Sequence, residues 1–311
     1  MPAVLISGGT GLIGINLTHY LIEKGYGIII LTRQKNITSQ NPKIIYSFWN
    51  VEKGIIDVEV IKKADHIIHL AGAGVMDKKW TNKYKKIILE SRTKSAELII
   101  NCLKENENHV KSFVSASAIG WYGKDDEVSG KKEGFIESDT PAKDFLGETC
   151  VFWEASADRV TELGIRLVKL RTGIVLTNDG GAFKKYKMLL RFGVVPILGN
   201  GKQIVSWIHI DDLCRMYGDA IENNYVKGSF NAVAPGTVSQ KKLMLILGQR
   251  LRNKFFIPIY VPSIFLKLIF GKRSIEILKS ATVSDKKIKA TGFTFLYPSI
   301  EAAVDDLIGE N

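Results

Sequence analysis

Cysteine is scarce in this chain: Cys102, Cys150 and Cys214 are the only three in 311 residues. They are widely spaced and fit no metal-ligand pattern, so no metal site is expected, and an odd, sparse set points to reduced thiols. Long apolar runs are also missing: no stretch is long enough to span a bilayer, and no membrane partner is expected. The N-terminus carries no charged leader ahead of its first apolar run, which makes the cytoplasm the expected compartment. Repeats and low-complexity segments are lacking too.

Acidic residues are the minority charge, 32 against 43 basic ones, for a net +11. Scattered lysines on a solvated surface account for most of that excess, with attraction of phosphorylated ligands as the functional alternative. Nucleic-acid binding would rest on net charge alone, without an aromatic platform or recognition helix, and is not expected. The apolar fraction of 45% and charged fraction of 24% are those of an ordinary globule. The length suits one large domain, or a nucleotide domain with a smaller appendage.

The stretch that organises the chain is residues 4–14, VLISGGTGLIG. An apolar run ends in glycines at Gly8, Gly11 and Gly14, and an amphipathic segment follows at once. That order reads as strand, tight turn and helix, with a pyrophosphate site at the positive end of the helix dipole. Gly8 makes the turn, Gly11 lets backbone approach the phosphates, and Gly14 lets helix and strand pack closely. Thr10, Leu12 and Ile13 complete the expected phosphate cradle.

Alternating patterns continue, with strands at 3–7, 27–32, 43–48, 66–70, 110–116 and 165–170. Helices are expected between them at about 12–24, 53–63, 78–105 and 144–163. This is an α/β chain with a doubly wound parallel sheet, whose ligands bind at the carboxyl ends of the strands. After the second strand stand Thr32 and Arg33, where an NAD-selective fold usually has an acid on the ribose 2′-hydroxyl. Arg33 offers a positive fork suited to a 2′-phosphate, so NADP (NADPH) is expected over NAD.

Leu70, Ala71 and Gly72 end the fourth strand with small residues beside the expected ribose. His66 and His69 share that strand and point to opposite faces, which excludes a joint metal site. Arg92, on the long helix, is either an exposed rim charge or a cofactor or substrate contact. Ser115, Ala116 and Ser117 end the fifth strand near the expected nicotinamide, and Ser117 with Tyr122 are the candidates for polarising a substrate oxygen. Residues 124–143 are highly charged and read as a mobile loop over that edge.

In the second half, 183–192 is a basic helix candidate whose lysines could face an anionic substrate or solvent. His209 precedes Asp211 and Asp212, which read as acids capping a helix N-terminus. Residues 261–270, VPSIFLKLIF, are expected as a buried helix or a subunit contact in a homodimer, and 299–308 as a packed terminal helix.

GGTGLIG, HLAGAG, SASAIGWYG, Leu170-Arg171-Thr172-Gly173 and SWIHIDD together resemble the extended short-chain dehydrogenase/reductase superfamily. More narrowly, FLGETCVFWE, GNGKQIVSWIHIDD and the tail from Val261-Pro262 to Tyr297-Pro298 are similar to its atypical "epimerase family" members, over essentially the whole length. The resemblance implies an NADP-binding Rossmann domain over 1–175, with contributions from about 203–235, and a smaller mixed C-terminal part over 176–311 that closes over substrate. It adds Arg171 to the cofactor residues and places Trp80, Trp153 and His209 on the substrate side.

The superfamily's chemistry rests on Tyr-x-x-x-Lys, and here the aligned positions hold Leu146 and Cys150. Tyr20 and Lys24 have the spacing but lie in the helix after the glycine turn. Tyr122, Glu148 and Cys150 are the available substitutes, none singled out. Two readings follow: an oxidoreductase or epimerase transferring hydride to a carbonyl or sugar-nucleotide-like small molecule, or a catalytically silent NADP(H) sensor.

Overall fold

The computed structural model describes residues 1–125, 134–253 and 255–309. β1 (Ala3–Ser7), α1 (Leu12–Glu23), β2 (Gly27–Thr32), β3 (Ile44–Phe48) and α2 (Val58–Lys62) come first. β4 (His66–His69), α3 (Asn82–Glu105), β5 (Ser112–Ala118), α4 (Phe145–Asp158) and β6 (Arg166–Thr172) complete the first half. The second half runs β7 (Ile174–Leu176), α5 (Gly181–Leu190), β8 (Val194–Leu198), β9 (Ile204–Val205), β10 (Trp207–His209) and α6 (Ile210–Glu222). It ends with β11 (Gly228–Ala232), β12 (Val238–Ser239), α7 (Gln240–Arg252), β13 (Ile257–Val261), α8 (Ser263–Phe270), α9 (Ser274–Leu278), α10 (Lys286–Ala290) and α11 (Ile300–Gly309).

Seven strands form one parallel sheet in the order β11-β6-β5-β4-β1-β2-β3. Strand order reverses between β1 and β4, which opens a crevice at their carboxyl ends. Helices cover both faces. Leu17 and Leu21 of α1 and Leu213 and Tyr217 of α6 pack on Val4, Ile6 and Ile28. Ile99 and Leu103 of α3 and Ala157 of α4 pack on Leu5, Ile29 and Phe113. The expected doubly wound Rossmann sheet is thus present. Remaining strands pair in twos, β8 with β13, β7 with β10 and β9 with β12, around a separate core that joins Phe183, Val195 and Trp207 to α7 and α11.

Several boundaries differ from expectation, each for a local reason. The helix expected over 53–63 shrinks to α2, because Asn50 pairs with Ile55 around a left-handed Gly54 and Asp57 then caps Glu59. α3 starts only at Asn82, where Thr81 accepts from the Tyr84 amide at 3.2 Å. The helix expected over 144–163 is α-helical to Asp158 and tightens to a 3-10 turn that stops at left-handed Gly164. β5 runs to Ala118 rather than 116, because its partner β6 continues to Thr172.

Of the loop expected over 124–143, residues 126–133 lie outside the described residues. Its flanks are tied: Asp125 accepts from Ser280 and Thr282, and Phe135 pairs with Val283. Among the described residues, no helix is long and apolar enough to cross a membrane.

Candidate functional site

The glycine turn closes the carboxyl end of β1. Gly8 is left-handed, with φ +78, and a Cβ there would lie 2.8 Å from the Leu70 carbonyl carbon. A Cβ on Gly14 would lie 2.4 Å from the Gly8 oxygen, closer than any real contact. These two positions therefore exclude side chains on steric grounds, and they hold β1, α1 and the end of β4 together. Gly11 caps α1 with no side-chain hydrogen bond, and the first turn contains no acid. Amide donors at the positive end of α1 are left without a side-chain acceptor, beside exposed Thr10 and Gly11. That arrangement fits the pyrophosphate of a dinucleotide.

Thr32, at the end of β2, is buried, and its hydroxyl accepts from the Gln34 amide at 3.2 Å. Arg33 is exposed and makes no ion pair with a described residue. No Asp or Glu occurs between Arg33 and Lys43, while Lys35 adds a second cation. The local field at this corner is positive, as a 2′-phosphate requires and a ribose hydroxyl does not.

Leu70, Ala71 and Gly72 lead from β4 into a loop held by α3. The Ser91 hydroxyl accepts from the Ala73 amide at 2.9 Å, and Arg92 donates to the Ala73 carbonyl at 3.0 Å. Arg92 is buried against Gly72, where a Cβ would stand 2.9 Å from its guanidinium carbon, and its guanidinium sits 4.8 Å from the Trp153 ring centre. Trp80 donates to the Val75 carbonyl at 2.8 Å and meets Phe145 edge-on. Arg92, Trp80 and Trp153 are thus brought to one corner around the loop after β4.

His69 is fully buried at the end of β4, with Nε2 2.7 Å from the Ser95 hydroxyl. Burial and the Arg92 charge push its imidazole down to about 3, so it stays neutral. It stacks on Phe113, whereas His66 meets Tyr26 across the sheet. The two histidines occupy opposite faces, as the strand period requires.

Ser115, Ala116, Ser117 and Tyr122 are all buried. Ser115 donates to the Ala116 carbonyl at 3.0 Å. Ser117 donates to Glu154 Oε1 at 2.7 Å, and Arg171 grips the same carboxylate through Nε at 2.8 Å and Nη2 at 3.0 Å. Arg171 also donates to the Tyr122 hydroxyl at 3.0 Å and the Glu137 carbonyl at 3.0 Å, with its guanidinium carbon 3.7 Å from the Trp121 ring centre. Tyr122 donates in turn to Asn231 Oδ1 at 2.6 Å.

Burial works to raise the Glu154 carboxyl, but hydrogen bonds and charge from Arg171, with help from Ser117, hold it below the usual range. Burial pushes the Tyr122 hydroxyl up to about 12 against the opposing Arg171 charge. Glu154, Glu137 and Asn231 were not among the expected site residues. A carboxylate among apolar neighbours on the inner face of α4 was the signal available for Glu154.

On α4, half-buried Leu146 and buried Cys150 stand next to Gly120. Burial and the nearby Glu154 charge push the Cys150 thiol up to about 12, far from a thiolate at neutral pH. Glu148 is exposed on the first turn, the position of a solvated helix carboxylate.

His209 lies in a different group. It is the N-cap of α6, its Nδ1 accepting from the Asp211 amide at 3.2 Å, so the expected aspartate cap is replaced by a histidine. Asp212 instead accepts from the Leu296 and Tyr297 amides at 2.8 and 2.9 Å, which fixes the C-terminal segment. His209 packs on Tyr297 at 3.9 Å and faces the carboxylates of Asp211 and Asp306. These three bring ligand-type atoms within 4.8 Å of one another, with Tyr297 already donating to Asp306.

Residues 4–145 match the NAD dependent epimerase/dehydratase family, and residues 261–307 match a domain of unknown function, DUF1731. An epimerase family protein of Staphylococcus saprophyticus is 36% identical over 311 residues, covering 99% of this chain and 100% of its own. The chain belongs to this epimerase family. A Staphylococcus haemolyticus member is 35% identical over 311 residues, covering 99% of this chain and 99% of its own.

Among solved structures, a human epimerase family protein with NADPH aligns with TM-score 0.84 and 26% identity, over 99% of this chain and 100% of that one. The nucleoside-diphosphate sugar epimerase of Corynebacterium glutamicum aligns with TM-score 0.78 and 28% identity, over 100% of this chain and 59% of its own. UDP-glucuronic acid 4-epimerase of Bacillus cereus, with UDP-glucuronic acid and NAD, shares the fold at TM-score 0.77 and 16% identity. The family is thus built on an NAD(P)-binding short-chain dehydrogenase/reductase fold.

Proposed function

We propose that the chain binds NADP(H) and acts as an atypical oxidoreductase or epimerase on a carbonyl or sugar-nucleotide-like substrate. The observation that carries this reading is the glycine turn, where Gly8 and Gly14 leave no room for a Cβ and α1 presents uncapped amides. In this reading Gly8, Thr10, Gly11, Leu12, Ile13 and Gly14 hold the pyrophosphate, and Thr32 and Arg33 the 2′-phosphate. Leu70, Ala71 and Gly72 line the ribose, with Arg92 positioning their loop, and Ser115 and Ala116 lie under the nicotinamide. Arg171 serves from behind, through Glu154. The relative solved with NADPH supports the choice of cofactor. A bound nicotinamide supplies hydride chemistry; the protein supplies orientation, exclusion of water and any proton.

Ser117 and Tyr122 are the hydroxyls proposed to meet the substrate oxygen, and their bonding limits what each can do. Ser117 donates its hydrogen bond to Glu154, and Tyr122 donates its own to Asn231. Each presents lone pairs, which orient a substrate hydroxyl, and neither is a ready acid while the network stays closed. Trp80 and Trp153 would wall the substrate side, with His209 supporting the C-terminal part. A catalytically silent NADP(H) sensor is the second reading, favoured by the engaged hydroxyls and by the high Cys150 pKa.

Fluorescence titration with NADPH and NADH tests the shared step, followed by carbonyl compounds added to the NADPH complex and nucleotide sugars added to the NADP+ complex. Loss of NADPH absorbance with a carbonyl compound establishes a reductase, and conversion of a nucleotide sugar, followed by chromatography because the hydride returns to the sugar, establishes an epimerase. Tight binding with no turnover moves the assignment to the sensor, and absence of NADPH binding overturns both readings.

A further inference from the structure

The positive charge of this protein is segregated. Residues 180–210 and 223–275 contain fourteen of the 43 basic side chains and none of the 32 acids. Outside them the acids outnumber the bases. Apart from β11, which belongs to the central sheet, both stretches build the part of the molecule around β8 and β13. Most of the large exposed apolar side chains of the second half lie there too.

On α8, Ile264, Phe265, Leu268 and Ile269 share one helical face by their spacing and are all exposed, Leu268 by 75%, whereas Leu266 on the opposite side is buried. The expectation of a buried helix over 261–270 is therefore corrected. The strip continues through β13, an edge strand exposed from residue 257 to 260, to Phe255 at 84%. There it meets Phe192 at the end of α5, because the Ile257 amide donates to the Gly193 carbonyl at 2.9 Å. Lys267, Lys272, Arg191 and Arg252 stand around this strip, and none makes an ion pair with a described residue.

We propose that this face docks on the surface of a bilayer rich in anionic lipid, with α8 lying in the headgroup plane. A second copy of the chain would offer apolar surface, but a two-fold contact sets the acid-free strip against itself. A nucleic acid would offer phosphates, but no bed for Leu268 and Ile269. An anionic bilayer offers both, phosphates for the lysines and acyl chains for the apolar face. This contact lies on the membrane surface and needs no spanning segment.

The test is cosedimentation of the full-length protein with vesicles of phosphatidylcholine plus phosphatidylglycerol, and with phosphatidylcholine alone. Binding is expected only to the anionic vesicles. Leu268→Asp with Ile269→Asp should reduce it about tenfold or more. Lys267→Gln with Lys272→Gln should reduce it about tenfold. Circular dichroism checks folding, and Leu268→Ser with Ile269→Ser replaces the aspartate pair if that variant unfolds. Absence of vesicle binding overturns the proposal. So does binding that survives the apolar changes, which would be bulk charge attraction. A wild-type dimer in sedimentation velocity that those changes dissociate would assign the face to a second copy instead.

Discussion

Arg171 and Glu154 meet side-on, seventeen residues apart in sequence, through two contacts of 2.8 and 3.0 Å in the interior of the protein. The pair joins β6 to α4, and Ser117 and Tyr122 are bonded to one partner each. Removing the carboxylate would leave a buried guanidinium without its counter-charge. Glu154→Gln is therefore expected to cost about 3–5 kcal/mol, read as a fall in urea midpoint.

The same pair sets an acid limit. Glu154 has a depressed pKa in the folded protein against 4.5 when unfolded. Its contribution is thus complete above the unfolded value and is lost as pH falls through the folded one. Urea midpoints measured from neutral pH down to below 4.5 should drop for the native sequence. The drop should be shallower in Glu154→Gln.

Tyr122→Phe measures what this hydroxyl contributes to the fold, apart from cofactor binding. Deleting it strands Asn231 Oδ1 in the interior, an expected loss of about 1–3 kcal/mol in stability. NADPH affinity, measured by titration at a temperature where the variant is folded, should stay within about twofold, because a 0.4 kcal/mol difference is below what a lost direct hydrogen bond removes.

Arg33→Asp puts an acid where a 2′-phosphate would lie. NADPH affinity should fall by about tenfold or more while NADH affinity holds or rises, since one charge-assisted contact becomes a repulsion. Unchanged NADPH binding would remove the argument for NADP selectivity.

Thiol chemistry should be silent in the native state. Cys102, Cys150 and Cys214 are free and buried, and burial raises the pKa of each thiol. A disulfide reagent at neutral pH should titrate none of them rapidly in native protein and all three after denaturation. Fast reaction of Cys150 in the native state would revive it as a nucleophile.

The glycine turn was legible in the sequence because its constraint is local: three spaced positions, one strand and one helix. Thr32 and Arg33 were equally readable, being fixed by the end of β2. The Ser117, Glu154 and Arg171 network was not, since its members come from three elements and its carboxylate sits in an ordinary-looking helical run. Residues 261–270 show another limit. Apolar composition announced a helix with a greasy face but not whether anything in the chain would cover it. Asp211 and Asp212 read as one capping pair, although His209 takes the cap and Asp212 holds the Leu296 and Tyr297 amides instead.

Asp212 belongs to α6, which packs on the Rossmann sheet, yet the amides it grips belong to the segment before α11. The main chain itself weaves in the same way. It leaves the sheet after β6, returns through α6 to β11, and leaves again toward β12. The smaller part is therefore stitched to the larger one rather than hung from its end. No single cut releases it as a free piece. Any movement of one part against the other must bend several backbone crossings together, like a door hung on more than one hinge.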